Sequence, residues 1–183
     1  MRVFVAIDLP DRVRDELEDL QSDLPIGTPT PPENLHLTLC FLGEQHGEAI
    51  EAAHDALASI RRPAFELHLT GVGTFGSRSP TVVFAEVAKS DALRDLEKTV
   101  VRSLRHAGLE FQKQRFRPHV TLARLPRHIR PQDLDRLRDF LEDNATYRGP
   151  RFRVDAFHLY RSTLLPDAAR HDVLASYPLT AEP

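Results

Sequence analysis

The four residues His36-Leu37-Thr38-Leu39 return almost unchanged as His119-Val120-Thr121-Leu122, 83 positions later in a chain of 183. The wider windows, HLTLCFL at 36–42 and HVTLARL at 119–125, agree at His, at Thr, at the Leu after Thr and at the closing Leu. A motif repeated once in each half constrains the fold more than any composition does. It calls for two related halves that meet, each delivering one imidazole to one site. A pair of imidazoles is what a metal-free acid–base reaction needs near neutral pH.

Both windows read as strands, with apolar and β-branched residues in alternation. Side chains at i and i+2 of a strand share a face, so His36 and Thr38 point one way, and His119 and Thr121 do the same. Leu35, Leu37, Leu39 and Phe41 are expected on the opposite, core face, with Val120 and Leu122. Cys40 and Ala123 should continue the histidine face and leave room for a ligand. A His and a Thr two positions apart lie roughly 7 Å apart along a strand, a spacing that flanks one phosphate group. The imidazole moves a proton and the hydroxyl donates to a phosphoryl oxygen. A single H-x-T in a strand is more often a structural histidine; the matched second copy points to chemistry.

These residues carry a family resemblance. The chain resembles the 2H phosphoesterase superfamily, named for its two H-x-T-x motifs, and within it the RNA 2′,3′-cyclic phosphodiesterases, also called 2′-5′ RNA ligases. The likeness runs through RVFVAIDLP at 2–10, NLHLTLCFLG at 34–43, RFRPHVTLAR at 115–124 and FHLYRSTL at 157–164. It implies an α+β fold of two pseudo-symmetric lobes, with mainly antiparallel sheets flanking a central groove and helices on the outer faces. The whole chain, 1–183, would form one bilobal domain whose lobes intertwine. It also implies hydrolysis of an RNA terminal 2′,3′-cyclic phosphate to a 2′-phosphate, with His36 as proton donor and His119 as proton acceptor, and Thr38 and Thr121 on the phosphate. Reversal of similar chemistry would give 2′-5′ ligation. No cofactor or metal is implied. The expected partners are RNA ends or oligonucleotides with a cyclic phosphate, transfer-RNA fragments among them.

Composition sets the remaining bounds. A net charge of −3 argues against a general nucleic-acid binder, so RNA contact should be local. Of 24 basic residues 21 are Arg; Arg forks match phosphate geometry, although a biased genome composition gives the same excess. The single Cys excludes an internal disulfide and fits a reducing cytosol, and Cys40 reads as a small buried residue. No signal peptide or apolar membrane span is apparent, so a cytoplasmic monomer is expected. The chain has neither an H-E-x-x-H motif nor paired Cys.

Apolar periodicity predicts a buried strand at 2–9 and helices near 11–23, 47–60, 90–107 and 131–143, with Gly108 ending the third. Strands are predicted around 65–69, 82–87, 117–125, 151–162 and 171–179. The stretch 25–33 reads as a loop, and 71–80 as a flexible hairpin connection. Short connections between strands favour antiparallel or mixed sheets. Among further candidates, Arg115 and Arg117 precede the second motif and Arg124 follows it. Strict alternation sets Arg124 on the face opposite His119, so it reaches substrate only where the strand ends or twists. Phe4, Tyr160 and Ser162 are candidates for orienting a ribose, and Arg161 for the groove wall. Arg130, Arg136 and Arg138 read as a solvated helix face. His46, His54, His68, His106, His128, His158 and His171 have no partner spacing and default to the surface.

Two other readings compete: a metallohydrolase liganded by His36 and His119, and a non-catalytic RNA-end or nucleotide-binding module. A different cyclic-nucleotide phosphodiesterase of the same superfamily is a nearer variant of the first reading.

Overall fold

A computed structural model describes residues 1–76, 79–166 and 169–180. The strands are β1 (Arg2–Asp8), β2 (Thr28–Pro29), β3 (His36–Glu44), β4 (Phe65–Leu67), β5 (Leu69–Phe75), β6 (Val82–Val87), β7 (His119–Arg124), β8 (Phe152–Val154), β9 (Ala156–Leu164) and β10 (Ala169–Pro178). The helices are α1 (Asp11–Ser22), α2 (Gly47–Ala58), α3 (Asp91–His106) and α4 (Pro131–Asp143). The main sheet runs β10-β9-β1-β3-β7-β6-β5, with β2 paired to β7; β4 and β8 form a separate ribbon. Every ladder is antiparallel, so the fold is α+β.

The helices cover one face of this sheet. Each carries an apolar stripe at helical spacing: Val13, Leu17 and Leu20 on α1; Ala53 and Leu57 on α2; Leu93, Leu96, Val100 and Leu104 on α3; Leu137 and Phe140 on α4. All pack into one core with Val3, Val5, Ile7, Leu37, Leu39, Val120 and Leu122. Full burial of such a side chain contributes roughly 1.5–3 kcal/mol, so the stripes fix the helices to that face. β1 is buried on both sides. Its even residues Phe4 and Ala6 form a second small cluster with Tyr160 on the face free of helices.

The two motif strands meet at the middle of the sheet through a single paired position, Leu37 opposite Val120. Beyond it they splay. On the far end β2 takes up the β7 edge, with Thr28 opposite Arg124 and Pro29 opposite Ala123.

Each motif strand contains a β-bulge at the same motif position. Along β1, Ala6 faces Thr38 but Val5 faces Cys40, leaving Leu39 extra. Along β6, Phe84 faces Thr121 but Val83 faces Ala123, leaving Leu122 extra. A bulge sets two residues against one and shifts the alternation beyond it. Cys40 and Ala123 therefore turn into the core, where they are 8% and 0% exposed, while Phe41 turns outward at 48%. This reverses the expectation for Cys40, Ala123 and Phe41, which assumed unbroken alternation.

Other boundaries also moved. The expected strand 65–69 is two strands, because Phe65–Leu67 pairs with β8 while Leu69 joins β6. The stretch 71–75, read as part of a hairpin connection, continues β5; residues 77–78 of that connection lie outside the described residues. Gly73 is required there: a Cβ would sit 2.9 Å from the ring of Phe84 on the neighbouring strand. The expected strand 151–162 breaks at Asp155 into β8 and β9. The loop 25–33 contains β2 and runs into a 3₁₀ turn at Pro32–Asn34.

The bulge in β7 is held by α1. The buried Gln21 donates from Nε2 to the carbonyl of Leu122 at 2.7 Å and to that of Thr30 at 2.9 Å. Replacement of Gln21 by Met keeps the volume and removes both bonds. It should cost about 1–3 kcal/mol of unfolding free energy in urea titration; a change within about 0.5 kcal/mol, the range of neutral surface substitutions, would show that the bulge holds itself.

Candidate active site

The helix-free face of the sheet carries a cleft of about 800 Å³ lined by His36, Thr38, His119, Thr121 and Arg124, with Phe4, Phe41, Ser162 and His171 around them. The register that pairs Leu37 with Val120 sums the two motifs symmetrically. On either side of that pair the strands splay, with His36 and Thr38 bordering the cleft from β3 and His119 and Thr121 from β7. Both histidines line this one cleft, and His119 is near enough to His36 to act on it electrostatically.

Both imidazoles are locked the same way. His36 Nδ1 lies 2.7 Å from the carbonyl oxygen of Asn34, and His119 Nδ1 lies 2.6 Å from that of Arg117. A carbonyl only accepts, so Nδ1 carries the hydrogen in each ring. This leaves Nε2 of each as the nitrogen that takes or gives a proton. In the free protein Thr38 Oγ1 sits 3.1 Å from His36 Nε2 and donates to it.

Burial lowers both histidines. His36 falls to about 4, driven first by desolvation and then by the charge of His171, with His119 adding to it; the Asn34 carbonyl opposes the shift. His119 is lowered by desolvation and by the Arg117 guanidinium, against the pull of the Arg117 carbonyl. Aromatic rings do the desolvating. Phe4 lies 4.9 Å from the His36 ring and stacks on Tyr160 at 5.1 Å. On the other side Phe75 and Phe84 lie 4.8 and 5.4 Å from His119.

A model of the 2′-5′ RNA ligase superfamily matches residues 8–164, which include both motifs. The chain belongs to this superfamily. It is 32% identical over 181 residues to a Thermotoga maritima protein named RNA 2′,3′-cyclic phosphodiesterase, covering 95% of this chain and 93% of that one. A Geobacillus stearothermophilus protein of the same name is 28% identical over 187 residues; there the match covers 98% of this chain but 58% of the relative. Among solved structures, E. coli LigT in complex with 3′-AMP superposes with a TM-score of 0.79 at 27% identity, covering 98% of each chain.

Within this superfamily member, the four motif residues share one cleft, and Arg124 joins them. The bulge at Leu122 supplies the twist that Arg124 needs to reach the histidine face. Phe41 is its counterpart in the first motif, five residues after His36 as Arg124 is after His119. Ser162 lines the cleft, whereas Tyr160 lies behind Phe4 and supports it. Arg117 stands over the Phe75 ring, 4.9 Å from its centre. Arg117 and Arg115 face an adjoining cleft rather than the phosphate side. Arg161 is engaged elsewhere, in an ion pair with Asp172 at 2.9 Å.

Two cleft residues escaped the sequence reading. His171, on β10, sits edge-on to His36 at 5.2 Å, and its own Nδ1 is buried without a partner. Asn34 donates from Nδ2 to the Ala169 carbonyl at 2.6 Å, and its Oδ1 is likewise buried and unpartnered. Neither has a motif spacing; β10 brings His171 to His36 from 135 positions away, and only the pairing of β10 with β9 does so. Cys40 is inert, since burial and the nearby Glu97 push its thiol up to about 12. Among the described residues no three His, Cys, Asp or Glu side chains group as a metal site, and no described helix is long and apolar enough to cross a membrane.

The locked rings make a spectroscopic prediction. Long-range 1H–15N spectra should show both histidines as Nδ1–H tautomers at neutral pH, with His36 titrating near 4 and His119 below 6.5. The unfolded chain takes up those protons near 6.5. Folding stability should therefore be lost as pH falls from there through 4. A His36 that titrates at or above 6.5 would contradict the buried geometry.

Proposed function

We propose that this chain is a metal-independent phosphodiesterase that opens an RNA terminal 2′,3′-cyclic phosphate to a 2′-phosphate, using His36 and His119 as acid and base. The reading rests on one observation above others: two H-x-T motifs face each other across one register, each with Nδ1 tied to the carbonyl two residues before it. The names of the relatives support the substrate class.

The steps follow from the chemistry. His119, neutral, takes a proton from water as the water attacks phosphorus. His36, protonated, gives its Nε2 proton to the departing 3′ oxygen. Thr38 turns its hydroxyl from His36 to one non-bridging oxygen, and Thr121 takes the other, as negative charge builds there. Arg124 supplies a fixed cation to the same oxygens. After turnover the protonation states are exchanged and reset through solvent. With an RNA 5′-hydroxyl as the incoming or departing group, the same residues would run the 2′-5′ ligation and its reversal. Water's abundance makes hydrolysis the main direction.

His36 is neutral in the free protein at pH 7. A bound phosphodiester anion supplies the opposite charge that favours its protonated form. An imidazolium with so low an intrinsic value is also a strong acid, suited to an alkoxide leaving group.

The expected kinetics are specific. His36→Ala and His119→Ala should each lower turnover of a 2′,3′-cyclic phosphate by about 10²–10⁴, with Thr38→Ala and Thr121→Ala costing less. The kcat/KM profile reports the free protein, so it should be a bell centred below pH 6.5. The kcat profile should lie at higher pH, because bound anion raises both histidines. A kcat/KM plateau extending well past pH 7, or near-normal rates in either His variant, would sink the assignment. Excess chelator should change nothing, and NMR of the product should show a 2′-phosphate. Chelator-sensitive activity restored by a divalent ion would favour the metallohydrolase reading, and absence of turnover the binding-module reading.

A further inference from the structure

A second cleft, of about 940 Å³, shares Thr38, Phe41, Gln112, Gln114 and His119 with the first and continues it beyond the second histidine. Its walls are α3 and the irregular segment 111–117. Lys98, Arg102 and Arg105 stand at i, i+4 and i+7 on the exposed face of α3, one helical stripe. Lys113, Arg115 and Arg117 stand at every second residue of the facing segment, on the way to His119. Two of the chain's three lysines are among these six cations, in a chain whose net charge is −3.

None of the six is held in an ion pair among the described residues, whereas Arg14, Arg130, Arg138, Arg161 and Arg170 all are. The one carboxyl in the wall, Glu97, is held above its ordinary value by burial. Aromatic surface lies between the cations: Phe41 is 48% exposed, and Arg105 covers the Phe111 ring at 5.3 Å. Unpaired cations tracking a groove with interleaved aromatic rings are the makings of a single-strand site, where phosphates meet the charges and bases meet the rings.

We propose that this arm is the track for the RNA strand on the 5′ side of the cyclic end, with its phosphodiesters on Lys98, Arg102, Arg105 and Lys113. The proposal rests on the phosphodiesterase reading, which places the terminal phosphate between His36 and His119. The preceding nucleotides must then leave the histidine cleft through one of its mouths. The mouth past His119 carries the six cations named above, whereas the other carries Arg2 alone among otherwise neutral residues such as Leu164 and Ala169.

The test compares substrates of two lengths. In the double variant Lys98→Gln/Arg102→Gln, a mononucleoside 2′,3′-cyclic phosphate should be hydrolysed at the normal kcat/KM. An eight-nucleotide RNA with the same end should lose roughly 10–30-fold in kcat/KM near 0.1 M salt, and its log–log salt slope should shrink by roughly 1.4, as two lost phosphate contacts on a single strand require. Unchanged rates on both substrates would overturn the track while leaving the phosphodiesterase reading intact. Equal losses on both would also overturn it, by locating the effect at the histidines. Should the natural protein hydrolyse neither substrate, the phosphodiesterase reading fails. Anisotropy titration of the same RNA ending in a 3′-phosphate then decides the track alone, and equal affinity of variant and natural protein rejects it.

Discussion

The contact on which the site depends is one cross-strand pair, Leu37 with Val120. Both side chains are fully buried against the helices, so hydrophobic burial fixes the register, and a one-residue slip would turn every motif side chain to the wrong face. The catalytic candidates thus gain their spacing from residues on the opposite side of the sheet. Because the pair lies at the centre of a repeated motif, one buried contact positions two histidines and two threonines at once. The splaying of β3 from β7 on either side of that pair opens the cleft between them.

The matched bulges at Leu39 and Leu122 are the second constraint. In each strand the bulge ends the H-x-T alternation just after the threonine and brings the residue two places beyond the bulged leucine onto the functional face. In the first motif that residue is Phe41 and in the second Arg124. The repeat is therefore symmetric in backbone and asymmetric in chemistry. One half presents an aromatic surface and the other a guanidinium, which suits the proposed nucleotide substrate with its anionic and aromatic ends.

Unbroken periodicity decides which of these features the sequence alone displays. The two motifs, the helices with their apolar stripes and the antiparallel character were all legible, because each follows from a period of 3.6 or 2 carried over many residues. Cys40, Ala123 and Phe41 were misplaced for a single reason. A bulge breaks the period inside one strand, and nothing in HLTLCFL or HVTLARL marks which residue is extra. The strand 69–75 was hidden by its glycines, whose purpose at Gly73 is to make room for a ring on the adjacent strand. His171 and Asn34 reach the cleft through tertiary pairing of β10 and the 3₁₀ turn, and no local spacing signals that.

The departures from symmetry bear on which histidine does what. His36 has His171 beside it and Phe4 over it, so its protonated form is opposed by both a second imidazole and an apolar ring. His119 has Arg117 near it but sits where the two clefts join, with one side open to the basic arm. Water reaches His119 more readily than the enclosed His36. A base that must receive its nucleophile from solvent belongs at the open position. An acid that must hold its proton against solvent until the ribose oxygen leaves belongs at the enclosed one, where the arriving phosphate anion is what favours its charge. On the proposed role of His36 as acid, the same enclosure that lowers it in the free protein would make its protonation conditional on substrate and tie proton donation to occupancy of the cleft.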